Sequence, residues 1–300
     1  MVTLNDRKAP YRFDHAKYAV IDGRGVLLTS ENFGSSGFPR TGTRGNRGWG
    51  VYVEDMFLSQ YFEAVYRSDV SGITSIPIAG NPGALESPVL VPYTVEFSAR
   101  SFSGTTVTPV IAPDTSYLIL DLLNNAEETI DIEQAYITNE SALTLNPFLG
   151  AAINASRRGV HVRVLLDAYW YNVEDESDND EMVALINRIA ATEGIPLEGR
   201  CADIESNNLE KIHNKGVIVD NRSVLVSSIN WNSNSPNFNR EAGVIIEDRE
   251  VAGYFRDVFD DDWQPVRPDG ARNPDYLKIA VLITVILGIV ALYAWRRREI

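Results

Sequence analysis

The sequence predicts an α/β protein, a helix–sheet–helix sandwich organised as two related halves, the first incomplete, with one separate apolar helix at the C-terminus. Three observations predict it. Strands alternate with helices from Tyr117 to Phe255. The stretch from His15 to Phe62 is echoed by the stretch from His213 to Phe255. Ile279 to Trp295 is an unbroken apolar run.

Composition narrows the class. At 300 residues and 44% hydrophobic, the chain can bury a sizeable core, which excludes a disordered or fibrous protein. A single cysteine, Cys201, excludes a disulfide framework and a cysteine-built zinc site. Acidic residues outnumber basic ones 41 to 27, a net charge of −14. That balance disfavours sequence-independent nucleic-acid binding, which depends on Lys and Arg neutralising phosphates.

Within the first copy, Tyr18–Asp22 and Gly25–Thr29 read as two short apolar strands joined by a tight turn. The segment 46–55 (NRGWGVYVED) reads as a strand entering an amphipathic helix that carries Tyr61 and Phe62. Arg67 to Ser103, rich in Gly, Pro and Ser, reads as a connection. The second copy has a long front: Tyr117–Asn125 as helix, Ile130–Ile137 as strand, Pro147–Arg158 as helix, Val160–Leu166 as buried strand and Glu181–Thr192 as helix. Gly216–Asp220 and Ser223–Ser227 then repeat the hairpin, and 239–248 (NREAGVIIED) repeats the strand leading into a helix. If the copies are equivalent, the first lacks roughly 80–100 residues of its front half, and the chain is expected to be truncated at its N-terminus. The expected domains are 1–66 (the back of the first copy), 67–103 (linker), 104–263 (the complete second copy), 264–275 (juxtamembrane linker), 276–296 (transmembrane helix) and 297–300 (basic tail).

The apolar run would span about 25 Å as a helix, close to a hydrocarbon core of about 30 Å. Tyr276, Lys278, Tyr293 and Trp295 suit its interfaces, and Arg296, Arg297 and Arg298 follow. A single-pass anchor is expected, with a cytoplasmic C-terminus and the domain outside. The opening residues MVTLNDRKAP carry no apolar signal segment. One lost N-terminal segment would account for both the missing front half and the missing export signal.

The chemistry is carried by a spacing that occurs twice. His15, Lys17 and Asp22 share the pattern H-x-K-x4-D with His213, Lys215 and Asp220. Six residues after each Asp comes a small-residue turn, 29–32 (TSEN) and 227–230 (SSIN), which supplies Ser30, Asn32, Ser228 and Asn230 as phosphate-binding donors. A neutral imidazole can attack phosphorus, and a protonated one opposite can protonate the leaving oxygen. A Lys two residues from each His lies on the same strand face and offers positive charge to a five-coordinate phosphorus. No metal or cofactor is needed for this chemistry. With Lys at five and Asp at 21 of 300 residues, a given His meets both requirements by chance roughly one time in a thousand. Two of three do.

These motifs resemble those of the phospholipase D superfamily, whose signature reads H-x-K-x4-D-x6-G-S-x-N. Thr29 and Ser227 stand where Gly is usual. The resemblance implies two pseudo-symmetric α/β halves with the site between them, and phosphodiester transfer through a phosphohistidine. It makes His15 the nominal nucleophile and His213 the general acid. It also implies an acidic residue after each motif to orient the histidine. Glu241 fits that place in the second copy. Its counterpart in the first is Gly48, which leaves His15 without an evident partner.

The expected activity is phospholipid hydrolysis or phosphatidyl transfer by a membrane-anchored enzyme. A nuclease of the same superfamily and a non-catalytic membrane scaffold are the alternatives, and the oligomeric state is open. Elsewhere, His161 reads as a strand residue outside both motifs, Cys201 as inert, and 174–181 (EDESDNDE) as a solvated loop. Trp231 and Tyr136 suit either a substrate pocket or the core.

Overall fold

The computed structural model describes residues 2–3, 11–39, 44–71, 75–76, 97–141, 143–173 and 178–264. The expected anchor at 276–296, the linker before it, the basic tail, most of the 67–103 connection and half of the acidic loop lie outside them. Among the described residues no helix is long and apolar enough to cross a membrane.

In chain order the elements are β1 (Val2–Thr3), β2 (Tyr18–Ile21), β3 (Gly25–Thr29), β4 (Gly50–Val53), α1 (Met56–Val70), β5 (Ser75–Ile76), β6 (Thr106–Ala112), α2 (Leu118–Asn124), β7 (Thr129–Gln134), α3 (Pro147–Arg157), β8 (His161–Leu166), α4 (Asn179–Glu193), β9 (Leu197–Cys201), β10 (Lys215–Val219), β11 (Ser223–Ser227), α5 (Ser235–Phe238), β12 (Glu241–Glu247) and α6 (Arg249–Trp263). Seven strands form one mixed sheet in the order β6-β12-β11-β10-β7-β8-β9. β7, β8 and β9 are parallel, and the other neighbours antiparallel. A second sheet has the order β2-β3-β4, and β1 pairs with β5. The expected boundary at residue 66 falls inside α1.

Period-2 alternation assigns the two faces of the large sheet. Ile130, Ile132, Val162, Val164, Val217 and Leu225 pack with α2, α3 and α4 into one core. Leu165, Ile218, Val224, Val226, Val244 and Ile246 face the other way, onto α6, Trp49, Phe62 and the β3 residues Val26 and Leu28. The mixed α/β sandwich is therefore present, and the first copy's three strands and α1 close its second face. Trp49 reaches across to β10, where Gly216 makes room: a Cβ at 216 would lie 2.3 Å from the indole.

The helices start where local chemistry lets them. Asp55 accepts the Leu58 N–H at the start of α1, and Asp248 accepts those of Glu250 and Val251 at the start of α6. Asn146 caps α3, with Pro147 opening the helix. Two strands of the large sheet, like the short pair β1 and β5, were not anticipated from sequence. β6 contains Pro109, which is tolerable because β6 is an edge strand. β9 (LEGRC) lacks an apolar pattern, with Gly199 lying against Ile186.

Candidate active site

The hairpins β2–β3 and β10–β11 have the same register, Ala19 opposite Leu27 and Val217 opposite Leu225. His15 and Lys17 immediately precede β2, and His213 and Lys215 sit at the start of β10. Each histidine is held by the other copy. The His15 N–H donates to Arg240 O at 2.8 Å, and the His213 N–H donates to Arg47 O at 2.9 Å. Both contacts belong to isolated parallel bridges, Asp14 with Arg240 and Ile212 with Arg47.

The arginines' side chains also cross over. Arg47 makes a two-point ion pair with Asp262 near the end of α6, Nε to Oδ2 at 2.7 Å and Nη2 to Oδ1 at 2.9 Å. Arg240 pairs with Asp69 near the end of α1 at 3.0 Å, and also binds Asp114 and Tyr11. Asp69 and Asp262 each lie fourteen residues after the aspartate that caps their helix. The sequence held this signal, because the arginines and aspartates occupy matching places in the two copies. Their pairing was not anticipated.

The carboxylates follow the same crossed logic and correct two expectations. Glu241, read as the partner within its own copy, accepts from or donates to no group of His213. It bonds His15 instead, Oε2 to Nδ1 at 2.8 Å. His15 therefore has the carboxylate that Gly48 left it without. His213 has its own, Glu31, with Nδ1 3.4 Å from Oε1. Glu31 lies in the turn after β3, and Gly48 makes its placement possible: a Cβ at 48 would lie 2.2 Å from Glu31 Cγ. The carboxylate that one copy carries at the start of its last strand is carried by the other in the preceding turn.

The turn serines support this arrangement. The Ser228 hydroxyl donates to Glu241 Oε2 at 2.6 Å and accepts the Ala242 N–H. The Ser30 hydroxyl donates to Asn214 at 3.2 Å and accepts the Trp49 N–H. Both were expected to bind phosphate, and both are engaged by protein. Asn230 is buried and Asn32 exposed.

Asp22 and Asp220, expected among the catalytic residues, are not at the site. Each ends the first strand of its hairpin in a left-handed conformation, φ 52°. At about 3.3 Å per residue, a strand puts each roughly 20 Å from its histidine. Asp220 instead accepts the N–H groups of Glu127, Glu128 and Thr129 and ties the start of β7 to the hairpin. The Asp recurs because a polar residue suits a left-handed turn.

Burial sets the protonation balance. Lys17 and Lys215 are buried and donate to His15 O and His213 O, each at 2.6 Å. Desolvation pulls Lys215 down to about 7, aided by Lys17 and opposed by Glu31 and Glu241. Lys17 falls to about 8 for the same first reason, opposed by Glu241 and Glu31. Burial also lowers the His213 imidazole, the Lys215 cation adding to the effect and Glu31 opposing it. Glu31 itself is raised by burial, but His213, Asn46 and Lys215 outweigh that and hold it below the ordinary range. Beneath the site, Glu133 accepts from Asn214 at 2.7 Å and is pushed well up by burial and by Asp262. Together these groups can bind a phosphate dianion-like transition state between two imidazoles and two ammoniums.

The remaining candidates fall outside. His161 starts β8, and Cys201 ends β9, its thiol pushed up to about 11 by burial. Trp231 is fully buried, packed on Phe148 in the core. The Tyr136 hydroxyl accepts from Asn232 at 2.9 Å. Among the described residues no cluster of His, Cys, Asp and Glu could hold a metal.

The chain is similar to several known proteins. The family described as cardiolipin synthase, phospholipase D-like domain, matches residues 119–263. A phospholipase D of Rickettsia felis is 29% identical over 170 residues, 56% of this chain and 73% of that protein. The mitochondrial cardiolipin hydrolase of Mus musculus is 28% identical over 124 residues, 41% of this chain and 49% of that protein. The crystal structure of a phosphatidylserine synthase from Haemophilus influenzae is similar in fold, with a TM-score of 0.53 at 13% identity, covering 81% of this chain and 60% of that one. Residues 119–263 thus match a phospholipase D-like domain, and the chain is similar to proteins of the phospholipase D superfamily.

Proposed function

We propose that this phospholipase D-like phosphodiesterase acts on phospholipid, by hydrolysis or phosphatidyl transfer, through a phosphohistidine on His15. One observation carries the reading: each motif histidine is backed by a carboxylate from the other copy, Glu241 for His15 and Glu31 for His213, and is followed two residues on by a buried lysine. The short Glu241 bond fixes His15 with its proton on Nδ1 and a lone pair on Nε2, the form that attacks phosphorus. As the Nε2–P bond forms, the P–O bond to the leaving alcohol breaks. His213 donates its proton to that alkoxide. A water or acceptor alcohol then enters, gives its proton to His213 and displaces His15 from phosphorus. Lys17 and Lys215 offset the charge that builds on the non-bridging oxygens.

Phospholipid is preferred to nucleic acid because the chain is strongly acidic overall. The printed names of the relatives, phospholipase D and cardiolipin hydrolase, support the same substrate class. A helix at 276–296 would anchor the domain, outside the membrane with a cytoplasmic C-terminus. The test is mass spectrometry of products from mixed phospholipids, with and without glycerol. Phosphatidate alone means hydrolysis, and phosphatidylglycerol or a larger glycerol adduct means transfer. Cleavage of DNA with no lipid product would replace this reading by the nuclease.

A further inference from the structure

We propose that the mouth of this site is a bilayer-docking surface, which sets the two histidines at the headgroup level of a phospholipid membrane. The inference rests on the phospholipid reading and adds where the lipid surface lies.

Topology puts the relevant loops at one end. β7 and β8 run parallel and finish beside the start of the antiparallel β10. The loops that follow β3, β8 and β11, and the segment before β2, therefore all leave from the end that holds His15 and His213. Each carries aromatic residues that the fold leaves uncovered. Phe13, Phe33, Phe38, Trp170, Tyr171 and Phe238 are between 43% and 60% exposed. Apolar groups clustered on a rim mark an interaction surface rather than scattered exposure.

Printed contacts join them around the site. The Phe13 ring lies 5.8 Å from that of His15. Arg12 lies 4.1 Å over Phe238 and hydrogen-bonds Asn234. On the other side Phe33 and Phe38 stack at 5.7 Å. Their loop connects through Arg47 N–H and Lys211 O to Lys211, whose ammonium donates to the Tyr171 hydroxyl at 2.8 Å. The body is acidic, yet at this mouth Arg12 and Lys211 stand beside exposed rings. Aromatic rings with adjacent cations suit the interface, the rings below the headgroups and the cations at the phosphates. Arg12 and Lys211 are placed to meet headgroup phosphates, while the acidic run 174–181 follows Tyr171 in the same connection.

The experiment uses the full chain with Cys201→Ser, carrying Phe33→Cys, Trp170→Cys or Phe57→Cys one at a time. Phe57 is an exposed residue on α1, on the flank. Each cysteine is labelled with an environment-sensitive fluorophore. The chain is bound to vesicles of phosphatidylcholine with a minority of phosphatidylglycerol, with or without lipid carrying a quencher in the acyl chain. Flotation confirms binding, and chemical denaturation confirms folding. Labels at positions 33 and 170 should lose emission to the quencher, while the label at 57 keeps it. Unquenched labels at 33 and 170 on a vesicle-bound chain overturn the docking surface, as does equal quenching at 57. Phospholipid turnover is read in the same vesicles. Quenching without turnover keeps the docking surface and removes the substrate reading. Turnover without quenching does the reverse.

Discussion

Val219, Ile245 and Phe259 in the second copy are 5%, 7% and 0% exposed, whereas Ile21, Tyr52 and Tyr66, at the matching places in the first, are 40%, 51% and 51% exposed. The hairpins have the same register, so the difference is not in the strands themselves. In the second copy Ile245 and Val219 belong to the core that α2 and α3 complete, and β8 presents Arg163 to Phe259. The described part of the first copy has no such layer. Its motif is held instead from the opposite side, by the shared core and by the two crossed arginine pairs. A catalytic hairpin can thus be positioned by its partner copy more than by its own sheet. The site depends on the interface between the copies.

The largest effect should come from the histidines. His15→Ala and His213→Ala should each lower turnover by about 10⁴-fold or more, because nucleophile and acid act as a unit. Trapping with labelled substrate separates them. Only His213→Ala should still accumulate phosphoenzyme, from a substrate whose leaving group needs no proton. If His15→Ala labels and His213→Ala does not, the two copies have exchanged roles.

The crossed carboxylates give the next test. Glu241→Gln should cost about 10²–10⁴ in kcat/KM, because it loosens a short bond to the attacking histidine. Glu31→Gln should cost less, since Glu31 sits at 3.4 Å from His213. Gly48→Ala should behave like Glu31→Gln, its Cβ displacing the Glu31 side chain. Moving the carboxylate to the place used by the second copy, Glu31→Ile with Gly48→Glu, should recover part of the loss. No recovery would mean that backbone differences, rather than the choice of position, separate the copies.

What the sequence made legible follows from where the determinants lie. His15, Lys17, His213 and Lys215 were readable because a strand fixes i and i+2 on one face, and the spacing occurs twice. The longer helices and the central strands of the second copy were readable from their periodicity, whereas β6, β9 and the short α5 were not. Glu31 was not, because a Glu in a turn looks like any solvated charge until Gly48 and His213 are seen around it. The crossed pairing of Glu241 with His15 was not, because contacts between copies leave no periodicity. Asp22 and Asp220 misled for the opposite reason: a recurring residue can serve a turn rather than a reaction.

The arginine pairs test the interface directly. Removing one partner of the buried Arg47–Asp262 pair should cost about 3–5 kcal/mol, read as a shift in urea midpoint. Arg47→Lys should restore little, because an ammonium cannot make the two-point contact. Arg240→Ala should fall in the same range, with Asp69, Asp114 and Tyr11 left behind. A loss confined to one of the two would show that only one copy depends on its partner.

The pH profile offers a smaller effect. Lys215 at about 7 and Lys17 at about 8 must stay charged to hold phosphate. His213, lowered by burial, must be protonated to act as acid. All three lose positive charge as pH rises, so kcat/KM should fall from about neutrality upward. A rate that keeps rising to pH 9 would show that none of the three needs its proton.

The smallest effect separates the two aspartates. Asp220 accepts three backbone N–H groups at the start of β7, a contact the first copy cannot match, because Asp22 is exposed at the end of its own hairpin. Asn tolerates the left-handed conformation of both positions, so Asp→Asn removes only the charge. Asp220→Asn weakens charge-assisted bonds and should cost about 1–3 kcal/mol. Asp22→Asn should stay within about 0.5 kcal/mol of the parent. Both variants should keep kcat, since each side chain lies a strand's length from its histidine. Urea midpoints and turnover measured on the same preparations decide it. A collapse of kcat in Asp220→Asn at unchanged stability would place that aspartate back in the chemistry, and would mean that the hairpin transmits more to the site than its geometry indicates.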